Sequence, residues 1–210
     1  LMIYVDDMGY GDATCYSTNG YAPTPNIDRI ARAGIRFTDG YVTAAVCAPS
    51  RVGLLSGAYQ QRFGCYWNKD RQETETGDHP LMPQVMKTAG YATGMIGKWN
   101  VNPRDPADVF DETYDVMDWE GDYFPNATGY YKGVNHGYDS SKYWTWGPER
   151  EGDEYLTDRI GRHAVDFIEA HTNERFFLYL PFNAVHSPLH GKTNDRARFE
   201  HIDEEPLKLY

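Results

Sequence analysis

Phe176-Phe177-Leu178-Tyr179-Leu180-Pro181-Phe182 is an unbroken apolar run. A strand with no polar residue alternating along it is read as buried on both faces, as in a sheet with helices packed on either side. Upstream, Leu156, Ile160, His163, Ala164, Phe167 and Ile168 form a one-sided stripe between residues 154 and 171, a helix suited to cover that sheet. The same order occurs earlier. Residues 81–89 read as a short helix stopped by Gly90, and Tyr91-Ala92-Thr93-Gly94-Met95-Ile96 as the strand that follows. Residues 1–5 are a further short apolar run. Thr24-Pro25 opens a helix carrying Ile27, Ile30 and Ala31 and ending at Gly34, after which Ile35-Arg36-Phe37-Thr38 alternates like a half-buried strand. Strands alternating with helices predict an α/β fold, a mixed sheet flanked by helices on both faces.

In open α/β sheets ligands gather beyond the carboxyl ends of the strands. Three of these strands run into polar residues there. Asp6 and Asp7 follow the first, and adjacent carboxylates at a strand end are costly unless a cation pairs them. Hard oxygen ligands suit calcium or magnesium; the alternative is a turn-capping aspartate beside a solvated one. Gly97-Lys98-Trp99 follows the second strand, with Gly97 allowing a tight turn that points Lys98 inward; otherwise Lys98 is a solvated surface charge. Asn183-Ala184-Val185-His186-Ser187-Pro188-Leu189-His190 follows the last. Pro188 argues against a zinc-binding helical pair of His186 and His190.

The chemistry centres on Cys47-Ala48-Pro49-Ser50-Arg51, continued by Val52-Gly53-Leu54-Leu55-Ser56-Gly57. Pro49 suits a first helical turn and Gly57 a stop, so a helix of about two turns is expected. Its free N–H groups and positive dipole end would face whatever Cys47 attacks, with Arg51 one turn along. The competing view is of a buried core thiol. The run C-A-P-S-R with a downstream L-S-G resembles the signature of type I sulfatases, whose cysteine a formylglycine-generating enzyme oxidises. The neighbouring stretches resemble the family in the same order: V-D-D-M-G-Y-G-D at 5–12, T-P-N-I-D-R-I-A-R-A-G-I-R-F at 24–37, G-K-W at 97–99 and A-V-H-S-P-L-H at 184–190.

The resemblance implies an alkaline-phosphatase-like sandwich, here incomplete, with residues 1–210 forming the N-terminal part of the catalytic domain. It implies a sulfuric ester hydrolase acting on a sulfated carbohydrate or aryl sulfate through formylglycine at Cys47. Asp6, Asp7 and residue 47 would bind calcium or magnesium. Cys47, Arg51, Lys98 and His186 would be catalytic, with Lys98, His186 and Asn100 contacting the substrate. The family usually continues G-K-W-H, whereas this chain has Asn100, which can donate a hydrogen bond but not shuttle a proton near neutral pH. A phosphonate or phosphodiester hydrolase of the same superfamily and a non-catalytic binding protein are the alternatives.

Residues 101–153 lack clear periodicity and read as an irregular aromatic-rich insertion. Trp119, Tyr123, Tyr131, Trp144 and Trp146 would suit stacking on sugar rings or local packing, and Asn126-Ala127-Thr128 fits a glycosylation sequon. The net charge of −11 over 210 residues argues against nonspecific nucleic-acid binding and against docking on an anionic membrane. An anionic substrate must then be drawn by local cations. Cys15, Cys47 and Cys65 make neither a disulfide framework nor a zinc pattern, and a bridge between Cys15 and Cys65 is left open. No run is long and apolar enough to span a bilayer, and no signal peptide is visible. The opening on a strand and the ending at Tyr210 suggest an internal fragment of a longer enzyme, for which the resemblance implies a periplasmic or secreted location.

Overall fold

The computed structural model describes residues 1–17, 22–101, 105–117, 123, 154–187, 189 and 191–202. Four strands form one sheet: β1 (Met2–Tyr4), β2 (Ala92–Lys98), β3 (Glu112–Met117) and β4 (Phe176–Pro181), in the order β1-β4-β2-β3. Every pairing among them is parallel, as helical crossovers require, and β4 lies between β1 and β2. The helices are α1 (Pro25–Ala33), α2 (Cys47–Ser56), α3 (Met82–Thr88), α4 (Leu156–Ala170) and the single turn α5 (Thr193–Arg196).

The apolar run of β4 is buried from both sides because its period of two divides it between two cores. Phe177 and Tyr179 join Met95 of β2 and Val52 and Leu55 of α2. Leu178 and Leu180 join Ile96 of β2 and Leu156, Ile160, Ala164 and Phe167 of α4. Helices therefore cover both faces, as expected for an α/β fold.

Local differences have physical causes. Helix α2 runs for ten residues and begins at Cys47 itself, longer than two turns, before Gly57 ends it at φ 64°. Ile35–Thr38 is not a strand: Ile35 and Phe37 are 83% and 69% exposed, and the alternation finds no neighbouring strand among the described residues. Conversely, Glu112–Met117 is a strand inside the stretch read as irregular, an edge position that tolerates its polar residues. Cys15 and Cys65 are not bridged to each other. Trp119, Tyr131, Trp144, Trp146, the sequon at Asn126, Pro188 and His190 lie outside the described residues.

Candidate active site

Val46 is extended, and the helix starts with the next residue, so Cys47 sits at the N-terminus of α2. Among the described residues, two side chains reach its sulfur. Asn68 Nδ2 donates to Cys47 Sγ at 3.4 Å, and His186 is hydrogen-bonded to the thiol. Burial pushes the Cys47 thiol up, but the His186 bond and the Lys98 charge outweigh it and leave the thiol below its ordinary value. For His186, burial favours the neutral ring, yet the bond to Cys47 holds the imidazole above its ordinary value. Its Nδ1 donates to the Ser187 carbonyl oxygen at 2.6 Å, which turns Nε2 toward Asp7 Oδ2, 3.5 Å away. Asp7 itself is exposed, with φ 59°.

The Asp6 carboxylate is buried between two cations. Lys98 Nζ lies 2.6 Å from Asp6 Oδ2 and Arg51 Nη2 lies 3.4 Å from it. Arg51 is wholly enclosed: Nη1 donates to the Lys98 carbonyl oxygen at 2.9 Å and to the Tyr179 hydroxyl at 3.4 Å, and the guanidinium stands 5.0 Å over the Tyr4 ring. Burial pushes the Tyr179 phenol up to about 12, so it meets Arg51 as a neutral hydroxyl. Tyr4 in turn shares a 2.6 Å hydrogen bond with Ser50 of α2. Two cations against one buried carboxylate leave local positive charge in a chain of net charge −11, a setting that favours a bound anion. The Lys98 side chain is aimed into the protein from the end of β2 because Gly97, at φ 120°, lets the backbone press against the Pro181 carbonyl.

Cys47, Arg51, Lys98, His186, Asp6 and Asp7 are thus brought to the carboxyl edge of one sheet from four separate stretches of sequence. Lys98 is not free there but fixed by Asp6. Asn100 is buried two residues past Lys98, with φ 52°. Sequence reasoning missed three contributors. Tyr4 and Tyr179 were hidden as ordinary strand residues, although period-two counting from Phe177 puts Tyr179 on the α2 face. Asn68 sits in a polar stretch between Tyr59 and Pro80 with no apolar period or motif, and no local signal marks it.

Two adjacent carboxylates, one buried and one exposed, have the oxygen chemistry of a hard dication. A cysteine sulfur does not; an oxygen function at residue 47 would. Among the described residues no three His, Cys, Asp or Glu side chains are gathered to hold a metal, so the donors here make a partial set that fits such an ion without completing its shell.

Compared with known proteins, residues 1–206 match the sulfatase family. The chain belongs to that family. An N-acetylgalactosamine-6-O-sulfatase of Bacteroides thetaiotaomicron is 28% identical over 253 residues, covering 90% of this chain and 48% of that sulfatase. The structure of Ps i-CgsB in complex with k-i-k-neocarrahexaose matches with a TM-score of 0.80 at 30% identity, covering 100% of this chain and 50% of that one. BT4656, in complex with its substrate D-glucosamine-2-N,6-O-disulfate, matches with a TM-score of 0.74 at 28% identity over 95% of this chain and 37% of that one. The chain spans about half the length of the curated relatives it matches. The sulfatase family generally uses a metal ion and a formylglycine. No described helix of this sulfatase-family chain is long and apolar enough to cross a membrane.

Proposed function

We propose that this chain carries the catalytic groups of a sulfuric ester hydrolase that releases inorganic sulfate from a sulfated carbohydrate, using formylglycine made from Cys47. The observation that carries the proposal is the grouping of Cys47 and His186 with the buried Asp6–Lys98–Arg51 cluster in a sulfatase-family chain. Hydrated formylglycine supplies an oxygen nucleophile, and its second hydroxyl supplies a way to expel sulfate after the ester bond has broken. An intact thiol offers no such second group. A bound calcium ion, held by Asp6 and Asp7 together with the oxygen of residue 47, would acidify that oxygen and neutralise the sulfuryl charge.

The chain's own residues supply the rest. Lys98 and Arg51 stabilise negative charge building on the sulfuryl oxygens, from positions locked by Asp6, Tyr179 and Tyr4, so little reorganisation accompanies reaction. His186 has Nδ1 committed to the Ser187 carbonyl, which leaves Nε2 to hold a proton for the leaving alcohol oxygen. Asn100 contributes hydrogen bonding to the anion in place of a proton-transferring imidazole. Sulfated carbohydrate is the favoured substrate class because two of the solved relatives are complexes with carbohydrate, one of them a disulfated glucosamine, while the negative net charge disfavours densely sulfated polymers. A periplasmic or secreted location fits that class.

The test is to produce the full-length polypeptide carrying this segment together with a formylglycine-generating enzyme. Peptide mass spectrometry then reads the state of residue 47, and release of sulfate is followed from an aryl sulfate and a panel of sulfated sugars, with an aryl phosphodiester in parallel. The expected outcome is an aldehyde at residue 47 and hydrolysis of sulfate esters. An aldehyde-bearing enzyme that cleaves the phosphodiester and no sulfate ester would overturn the proposal. For the metal, Asp7→Asn should weaken calcium binding in calorimetry, and an unchanged affinity would remove Asp7 from the ligand set.

A further inference from the structure

Asn68 bridges the reacting side chain and the helix that carries it. Its Oδ1 accepts the Ala48 N–H at 3.0 Å, and its Nδ2 donates to Cys47 Sγ at 3.4 Å. The first bond fixes the second: a backbone N–H can only donate, so the amide oxygen must lie on Ala48 and the amide nitrogen on residue 47. Helix α2 has no side-chain cap from Val46, and one of its open N–H groups is satisfied instead from 20 residues away. The segment that presents Asn68 is itself fixed, with the Asp70 carboxylate accepting the N–H groups of Tyr66 and Trp67 at 3.1 and 2.8 Å.

We propose that Asn68 is a positioning residue for the nucleophile: its amide N–H holds residue 47, whose side chain His186 also contacts. The inference rests on the sulfatase proposal. A thiol offers one atom to both neighbours, whereas hydrated formylglycine has two geminal hydroxyls. The hydroxyl on the Asn68 side accepts the amide N–H and is held in place. The hydroxyl on the His186 side is left to meet the sulfate. Asn68 thereby fixes the side-chain rotamer of residue 47 without entering any bond-making step.

The two ends of the amide can be separated by substitution. Asn68→Asp keeps an acceptor for Ala48 and adds negative charge at a helix N-terminus, which favours the helix, but removes the donor to residue 47. Asn68→Ala removes both. In the full-length enzyme, with turnover normalised to the aldehyde content read by mass spectrometry, Asn68→Asp should lower kcat on an aryl sulfate by about 10-fold or more, with KM changed by less than about 2-fold and Tm within about 3 °C of wild type. Asn68→Ala should lose Tm as well. Wild-type kcat per aldehyde in Asn68→Asp would reduce Asn68 to a helix cap and overturn the inference. Alkylation of unconverted Cys47 provides a measure independent of turnover. A carboxylate facing Sγ should slow it about 10-fold in Asn68→Asp, and an unchanged rate would also overturn the inference. If the aldehyde-bearing wild type hydrolyses no sulfate ester, the sulfatase proposal falls, and the alkylation rate still decides whether Asn68 governs residue 47.

Discussion

Gly97→Ala tests the backbone geometry that aims Lys98. Gly97 has φ 120°, a region L residues rarely enter, and a Cβ built there overlaps the Pro181 carbonyl oxygen and lies 3.0 Å from its carbon. Neither neighbour is a side chain that can swing away: Pro181 ends β4, which is paired on both sides. The positive φ costs about 1–3 kcal/mol, and the overlap adds about 1–3 kcal/mol of overpacking. The expected loss is therefore about 2–6 kcal/mol, a large share of the roughly 5–15 kcal/mol that stabilises a typical protein. Gly57→Ala is the matched control. It also sits at positive φ, 64°, but its Cβ meets nothing within 4 Å, so it should cost only about 1–2 kcal/mol. Urea unfolding of both variants of the full-length protein gives the two values by linear extrapolation. In the folded fraction of Gly97→Ala, kcat should drop by about 100-fold, since relief of the overlap moves the end of β2 and Lys98 with it. A Gly97→Ala variant that loses no more stability than Gly57→Ala would refute the reasoning.

Asp6→Ala leaves Lys98 and Arg51 buried without their shared carboxylate and should cost about 3–5 kcal/mol; a loss below about 1 kcal/mol by the same unfolding measurement would show the cluster to be hydrated in solution. His171 bridges Glu174 and Glu112, and the Glu174 hydrogen bond raises it above its ordinary value of 6.5. Its contribution to stability is full below that ordinary value and is lost as pH rises through the raised folded-state value. His171→Gln should accordingly shrink the stability difference between about pH 6 and about pH 8, and an unaltered pH dependence would count against the bridge. Asn100→His places an imidazole two residues past Lys98 and should change the pH profile of kcat more than KM; a profile that does not move would show that a group at position 100 lies out of reach of the proton transfer.

The sequence carried the elements that hydrophobic period and glycine stops define. The β4 run, the α4 stripe and the Gly57 and Gly34 helix ends all fall where the pattern put them. Asp6 and His186 come after β1 and β4 and Lys98 closes β2, so one sheet edge collects them. What stayed hidden depends on partners remote in the chain. The alternation of Ile35–Thr38 lacked any neighbour to pair with, whereas Glu112–Met117 had one in β2. Burial of Arg51 under Tyr179 spans 128 positions of sequence, and the reach of Asn68 to Cys47 spans 21. Local composition encodes neither.

The place of β4 sets an order of events during synthesis. It is the last strand made among the four described, yet it lies between the first two, so β1 and β2 cannot join the same sheet until residue 181 has left the ribosome. Asp6, Cys47 and Lys98 therefore emerge well before the scaffold that gathers them exists. At about 5–20 residues per second, the interval between emergence of residue 47 and that of β4 is on the order of ten seconds. During this interval Cys47 lies on an unfinished chain, open to any enzyme that reads its flanking sequence, and once β4 seats, the residues that follow it, Ala48 to Gly53, are buried while Cys47 stays partly exposed at the helix end.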